Sequence, residues 1–229
     1  MSFRDTLLER EKEIRRILNK ILDKKIKIII VGGYGVATYK KIFSIDLDIV
    51  VKEENLIELK DLLAQEIYFL NYDKKIELFY GEKFERFSKN FNGVVVDIDL
   101  LINGLVSRTT DCTWSFDYIE KYSTLRELEG IIFLTPEKEL LMAMKFHSGR
   151  LSDIRDIVAL MPCNIKKLES HLLKGDLKKL KNSVEKQRDF LNKPQFDDSF
   201  KGIFGVVNYN KKDVDQAKEL IKSILPKLN

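Results

Sequence analysis

The stretch VGGYGVATYKKIFSIDLDIVV, residues 31–51, decides how this chain is read. It follows the mostly apolar run Ile26–Ile30, so Gly32, Gly33 and Gly35 stand just past a predicted strand. A glycine turn in that position lets backbone N–H groups approach a phosphate. Two familiar phosphate loops fail on their residues. A dinucleotide fingerprint counted from Gly33 and Gly35 requires a glycine where Thr38 stands. A Walker loop ends in Gly-Lys-Ser/Thr, and the stretch contains no such run.

What it offers instead is Asp46-Leu47-Asp48 on the next predicted strand, Ser44–Val51. Strand side chains alternate, so the two carboxylates share a face. Like charges that close repel unless a cation sits between them. The pattern recurs as Asp97-Ile98-Asp99 inside VVVDIDLLI, where acids in so apolar a strand need a reason. Two such strands side by side would bring up to four carboxylates near one point, a hard oxygen set that suits Mg²⁺. A glycine turn for a triphosphate with carboxylates for two Mg²⁺ ions is the equipment of nucleotidyl transfer.

Composition agrees with a globular protein and excludes several classes. Of 229 residues, 44% are apolar and 33% charged, which is globular and not disordered. The net charge of +4 permits an anionic partner without demanding one. Cys112, Cys163, His147 and His171 have no metal-ligand spacing, so no zinc site is expected. Two lone thiols fit a reducing, cytoplasmic setting. The N-terminal segment reads as a charged amphipathic helix and not a signal peptide, and no apolar run reaches membrane-spanning length.

Further strands are expected at Lys27–Val31, Ile76–Tyr80, Gly93–Ile102 and Gly130–Leu134, with helices over Tyr34–Lys41 and Asn55–Gln65. Thr135 followed by Pro136 reads as a helix N-cap and first turn. Helices then fit Pro136–His147, Leu151–Leu160, Ile165–Leu173, Asp176–Leu191 and Lys211–Leu228, with one short strand near Ile203–Asn208. The fold class is therefore α/β (α+β), a mixed sheet flanked by helices and followed by a mostly helical C-terminal part. The expected domains are residues 1–134 and 135–229.

With these residues in place, the chain resembles the polymerase-β-like nucleotidyltransferase superfamily: Gly32-Gly33, then Ser44-Ile45-Asp46-Leu47-Asp48, then a third acid on a later strand. The runs Asp99–Leu101, Leu134–Lys145 and Gly149–Leu160 look like the AbiEii/MenT-type toxins and related nucleotidyltransferases. That group shows a lysine on a helix, then an arginine and two acids three apart, matched here by Lys145, Arg150, Asp153 and Asp156. The chain departs from the group at Tyr34, where serine is common, and at Ile42, where arginine is common.

The resemblance implies an enzyme that moves a nucleoside monophosphate from an NTP to a hydroxyl acceptor, with two Mg²⁺. Asp46, Asp48 and Asp99 would be the metal ligands, Asp97 the alternative third acid. Gly32, Gly33, Tyr34, Ser44 and Lys145 would hold the nucleotide, Lys145 also serving catalysis. Arg150, Asp153 and Asp156 are further candidates, with an ion-pair ladder as their plain structural alternative. The related toxins point to an RNA acceptor such as a tRNA end, and to an antitoxin protein as partner. A protein or small-molecule acceptor, and an inactive member acting as a binding or regulatory module, are the rival readings. The basic run Ile165–Arg188 is either a solvated helix face or an RNA-backbone contact.

Overall fold

The computed structural model describes residues 3–40, 42, 44–71, 83–196 and 210–229. It divides into two compact units: residues 1–38, 43–105 and 114–136 in the first, and 39–42, 106–113 and 137–229 in the second. The strands expected at Ile76–Tyr80 and Ile203–Asn208 lie outside the described residues.

The first unit is built on five strands: β1 (Ile28–Ile30), β2 (Asp46–Val51), β3 (Phe69–Asn71), β4 (Phe84–Phe91) and β5 (Val94–Ile102). Their order is β1-β2-β5-β4-β3. β2 runs parallel to β5, and the other neighbours pair antiparallel. Alternation along these strands gives the sheet one apolar face, carrying Leu47, Ile49, Val51, Phe87, Val96, Ile98 and Leu100 in the main core cluster. Helix α1 (Phe3–Asp23) covers it with Ile14, Ile17, Leu18 and Ile21, one stripe at helical spacing. Helix α3 (Glu53–Gln65) adds Leu59, Leu62 and Leu63. Between β1 and β2 lies α2 (Gly32–Ala37), a helix of barely two turns.

A buried carboxylate ties α1 to this sheet. Glu13 is fully buried and accepts from Arg16 through both oxygens (2.7 and 2.8 Å), from Lys89 on β4 (3.0 Å) and from the Tyr68 hydroxyl (3.1 Å). Burial works to raise its pKa, and the hydrogen bonds from Arg16 and Lys89 outweigh it, holding the group below the ordinary carboxylate range.

The chain continues through a ribbon of β6 (Gly104–Ser107) and β7 (Cys112–Ser115), helix α4 (Phe116–Lys121), and the hairpin β8 (Ser123–Leu128) and β9 (Ile131–Pro136). Here the structure corrects the expected helix start. Thr135 and Pro136 end β9, with Thr135 opposite Thr124 and its buried hydroxyl donating to the Ile30 carbonyl at 2.8 Å. A hydroxyl spent on a strand carbonyl cannot cap a helix, and α5 begins at Lys138. The second unit is helical: α5 (Lys138–Ser148), a 3₁₀ turn at Leu151–Asp153 leading into α6 (Ile154–Ala159), α7 (Ile165–Leu172), α8 (Leu177–Leu191) and α9 (Lys211–Ile224). Asn164, Asp176 and Asn210 cap α7, α8 and α9 with side-chain oxygens. The mixed sheet, its flanking helices and the helical C-terminal part agree with the expected fold class.

Candidate active site

The face of the sheet opposite the core carries the acids. In the parallel register of β2 and β5, Asp46 lies opposite Asp97 and Asp48 opposite Asp99. Residues paired this way project to the same side, so all four carboxylates share one face. Asp99 is buried, at 2% exposure, whereas Asp46, Asp48 and Asp97 are half-buried.

The glycines that open α2 meet this row directly. Gly32 sits at φ +62°, in the left-handed region, and a Cβ there would lie 1.7 Å from Asp48 Oδ2. Only a glycine lets the backbone pass so close to that carboxylate. A Cβ at Gly33 would lie 2.3 Å from Ser44 Oγ, which itself donates to Asp46 at its carbonyl (3.2 Å) and Oδ1 (3.3 Å). Ser44 therefore links the turn to the first acid. The Tyr34 side chain packs into the core cluster.

Two residues that sequence reasoning missed complete the row. Arg86 and Ser88 on β4 stand opposite Asp99 and Asp97. Arg86 donates to both oxygens of Asp99, Nε to Oδ1 at 2.6 Å and Nη2 to Oδ2 at 2.7 Å, and its Nη2 also comes to 4.0 Å from Asp46 Oδ2. Ser88 donates to Asp97 Oδ1 at 2.6 Å and accepts from Asn71 Nδ2 at 3.0 Å. Burial pushes the Asp99 carboxyl up to about 6 against the pull of Arg86, with repulsion from Asp46 and Asp97 acting in the same direction as burial. The signal that could have found β4 is Asn92-Gly93: both residues have positive φ (51° and 80°), the type I′ hairpin conformation, placed immediately before β5.

Asp46 and Asp48 offer hard oxygen donors of the kind Mg²⁺ takes. Among the described residues, no group of three His, Cys, Asp or Glu side chains is gathered to hold an ion. The donor chemistry thus fits a divalent cation at Asp46 and Asp48. Arg86 donates to both oxygens of Asp99, the expected third carboxylate.

The second unit holds the other predicted residues as a cluster of its own. Lys145 is buried on α5, its Nζ 2.5 Å from Asp156 Oδ2 and 3.4 Å from Asp153 Oδ1. Arg150 Nε reaches Asp153 Oδ2 at 3.1 Å, and Ser148 Oγ donates to the same oxygen. Gln187 on α8 donates to the Lys145 carbonyl at 3.1 Å and the Arg150 carbonyl at 3.2 Å. Burial favours neutral Lys145, but the charges of Asp153 and Asp156 prevail and raise its pKa. Burial likewise opposes ionised Asp153, and Lys145 and Arg150 hold it below the ordinary range. Arg150, Asp153 and Asp156 do not share one continuous helix, since the 3₁₀ turn separates Arg150 from α6. His147 is buried, with Nδ1 2.6 Å from Thr110 Oγ1 and Nε2 2.9 Å from the Leu172 carbonyl, and burial pushes it down to about 4.

No protein-family model matches the chain, and no curated protein is significantly similar to it. Among solved structures, it resembles the lincosamide antibiotic adenylyltransferase LnuA with lincomycin bound, at 18% identity and a TM-score of 0.47, over 66% of this chain and 95% of that one. An antigenic nucleotidyltransferase-like protein from Paracoccidioides brasiliensis is 14% identical with a TM-score of 0.48, over 86% of this chain and 97% of its own. ANT(2″)-Ia in complex with adenylyl-2″-tobramycin is 12% identical with a TM-score of 0.42, over 93% of this chain and 96% of its own. Likenesses this distant carry no argument about the chemistry of this chain, which rests on its side chains.

Proposed function

We propose that this chain is a nucleotidyltransferase that moves a nucleoside monophosphate from an NTP to a hydroxyl acceptor and releases pyrophosphate. The observation that carries the reading is the parallel register of Asp46 with Asp97 and Asp48 with Asp99, on a face whose edge is a glycine turn fitted against Asp48. A structural role gives no reason to gather four like charges on one side of an otherwise apolar sheet. A divalent cation on Asp46 and Asp48 would offset the charge of a triphosphate and activate the attacking hydroxyl. The backbone of Gly32 and Gly33 would then hold the phosphates, and Ser44 donates to Asp46. Asp97 and Asp99 are the two candidates to complete the site and receive the proton of the acceptor. Lys145, held by Asp153 and Asp156, is a preformed cation of the kind that offsets charge on a transferring phosphoryl group.

For the acceptor we propose an RNA end, supported by Lys166, Lys178 and Lys186, which are exposed on α7 and α8. The toxin of a toxin–antitoxin pair is the biological role that goes with this acceptor. The test is to incubate the chain with each α-labelled NTP, Mg²⁺ and separated pools of cellular RNA, protein and metabolites. Label is expected in the RNA pool. Label confined to protein or metabolites removes the RNA acceptor, and no label in any pool removes the enzymatic reading in favour of a binding module.

A further inference from the structure

The Arg86–Asp99 pair does more than neutralise a buried acid. Both oxygens of Asp99 are engaged, in the fork-to-fork geometry that makes guanidinium–carboxylate pairs strong and directional. The Asp99 side chain is 3% exposed and that of Arg86 is 21% exposed, so the guanidinium stands on the open side of the acid it covers. Its second reach, 4.0 Å to Asp46, places it between the two rows of carboxylates that a cation would bridge. A metal ion on Asp46 and Asp48 that recruited Asp99 would set its charge against the guanidinium over one shared carboxylate. The two cations then draw on the same two oxygens.

We propose that Arg86 is a positioning residue that competes with the divalent cation for Asp99, so that the third carboxylate joins the metal site only when the guanidinium is displaced. This rests on the nucleotidyltransferase reading, from which it takes the metal. Asp97 on the same face takes a neutral hydrogen bond from Ser88 in place of a guanidinium. The consequence is an order of assembly: Asp46 and Asp48 form the resident pair, and Asp99 is held in reserve.

The test is binding of Mn²⁺ alone, followed by electron paramagnetic resonance, with thermal melting recorded beside it. Arg86→Gln is expected to tighten Mn²⁺ by about 10-fold, an ordinary coupling between two ligands of one site. Adding Asp99→Asn to Arg86→Gln should remove that gain. Asp99→Asn alone, which leaves the Arg86 guanidinium beside Asp46, should not tighten Mn²⁺, and this arm holds even if Arg86→Gln fails to fold. Arg86→Gln that melts earlier with unchanged Mn²⁺ affinity would show a purely structural pair and overturn the proposal. So would an affinity of the double variant well below the wild-type value, since Asp99 would then already be a ligand. Tight Mn²⁺ binding that ignores Arg86 overturns this proposal and spares the nucleotidyltransferase reading. No Mn²⁺ binding by wild type or variant overturns both.

Discussion

Ile98 and Asp99 are neighbours on β5, yet the first lies in a core closed by α1 and α3 and the second lies among three other carboxylates. The strand period alone separates them. Each face also contains a buried acid, and the two are treated differently. On the core side Glu13 takes Arg16, Lys89 and Tyr68, and its carboxyl is held below the usual range. On the other side Asp99 takes Arg86, and burial with two neighbouring acids still pushes it up to about 6. The core side balances its charges and gains rigidity. The opposite side sets four acids around the Arg86 guanidinium, an excess of one sign that raises its energy unless a further cation arrives. Stability and function are thus read from alternate residues of the same strands.

The sharpest way to break this comparison is to change one face and watch the other. Asp46→Asn or Asp48→Asn should lower nucleotidyl transfer by at least about 10³-fold, on the order of losing a preorganised charge at the reacting phosphate. Melting without metal should stay level or rise, because a like charge has left the row. Glu13→Ala should do the reverse. It leaves Arg16 and Lys89 without their buried acid and should cost about 3–5 kcal/mol by denaturant unfolding, with kcat of the remaining folded protein unchanged.

Lys145→Ala sharpens the account in the helical unit. Removing a buried cation from between Asp153 and Asp156 should cost about 3 kcal/mol of stability. A phosphate contact adds a drop in kcat/KM of about 10- to 1000-fold, measured where the variant is still folded. A stability loss with unchanged kinetics would make the cluster structural.

Acid titration gives a smaller effect with a defined sign. Glu13 is held below its ordinary value of 4.5, so its contribution is complete above that pH and is lost as pH falls toward the lower folded value. The melting temperature of Glu13→Gln should therefore fall less steeply than that of wild type below about pH 4.5, read by calorimetry across an acid series. The smallest effect is expected from Lys178→Glu. It should weaken RNA binding and flatten the salt slope by about one unit or slightly less, leaving NTP binding untouched.

The acid face was legible because β2 and β5 declare themselves twice over, through β-branched apolar residues and through Asp-x-Asp at a period of two. Gly32 and Gly33 were legible because their turn follows a strand. β4 was not, because FERFSKNF places Phe84, Phe87 and Phe91 at intervals of three and four, a helical rhythm that hides the strand. With β4 went Arg86 and Ser88, and with them the state of Asp99 and Asp97. The Thr135-Pro136 signal misled because capping chemistry and a strand end use the same residues, and the carbonyl of Ile30 claimed the hydroxyl. The motif singled out Lys145 and not its surroundings. Its burial between Asp153 and Asp156 needed the 3₁₀ turn, which no periodicity announces.

The measurement that tests the central claim most directly is calorimetric titration of each NTP into the wild-type chain, with Mg²⁺ and again with a chelator, repeated on Asp48→Asn. The account predicts that at least one NTP binds, that binding requires the divalent cation, and that Asp48→Asn loses it while melting no earlier than wild type. Nucleotide binding that is unchanged by the chelator and by Asp48→Asn, or no binding of any NTP to the wild-type chain, would contradict it.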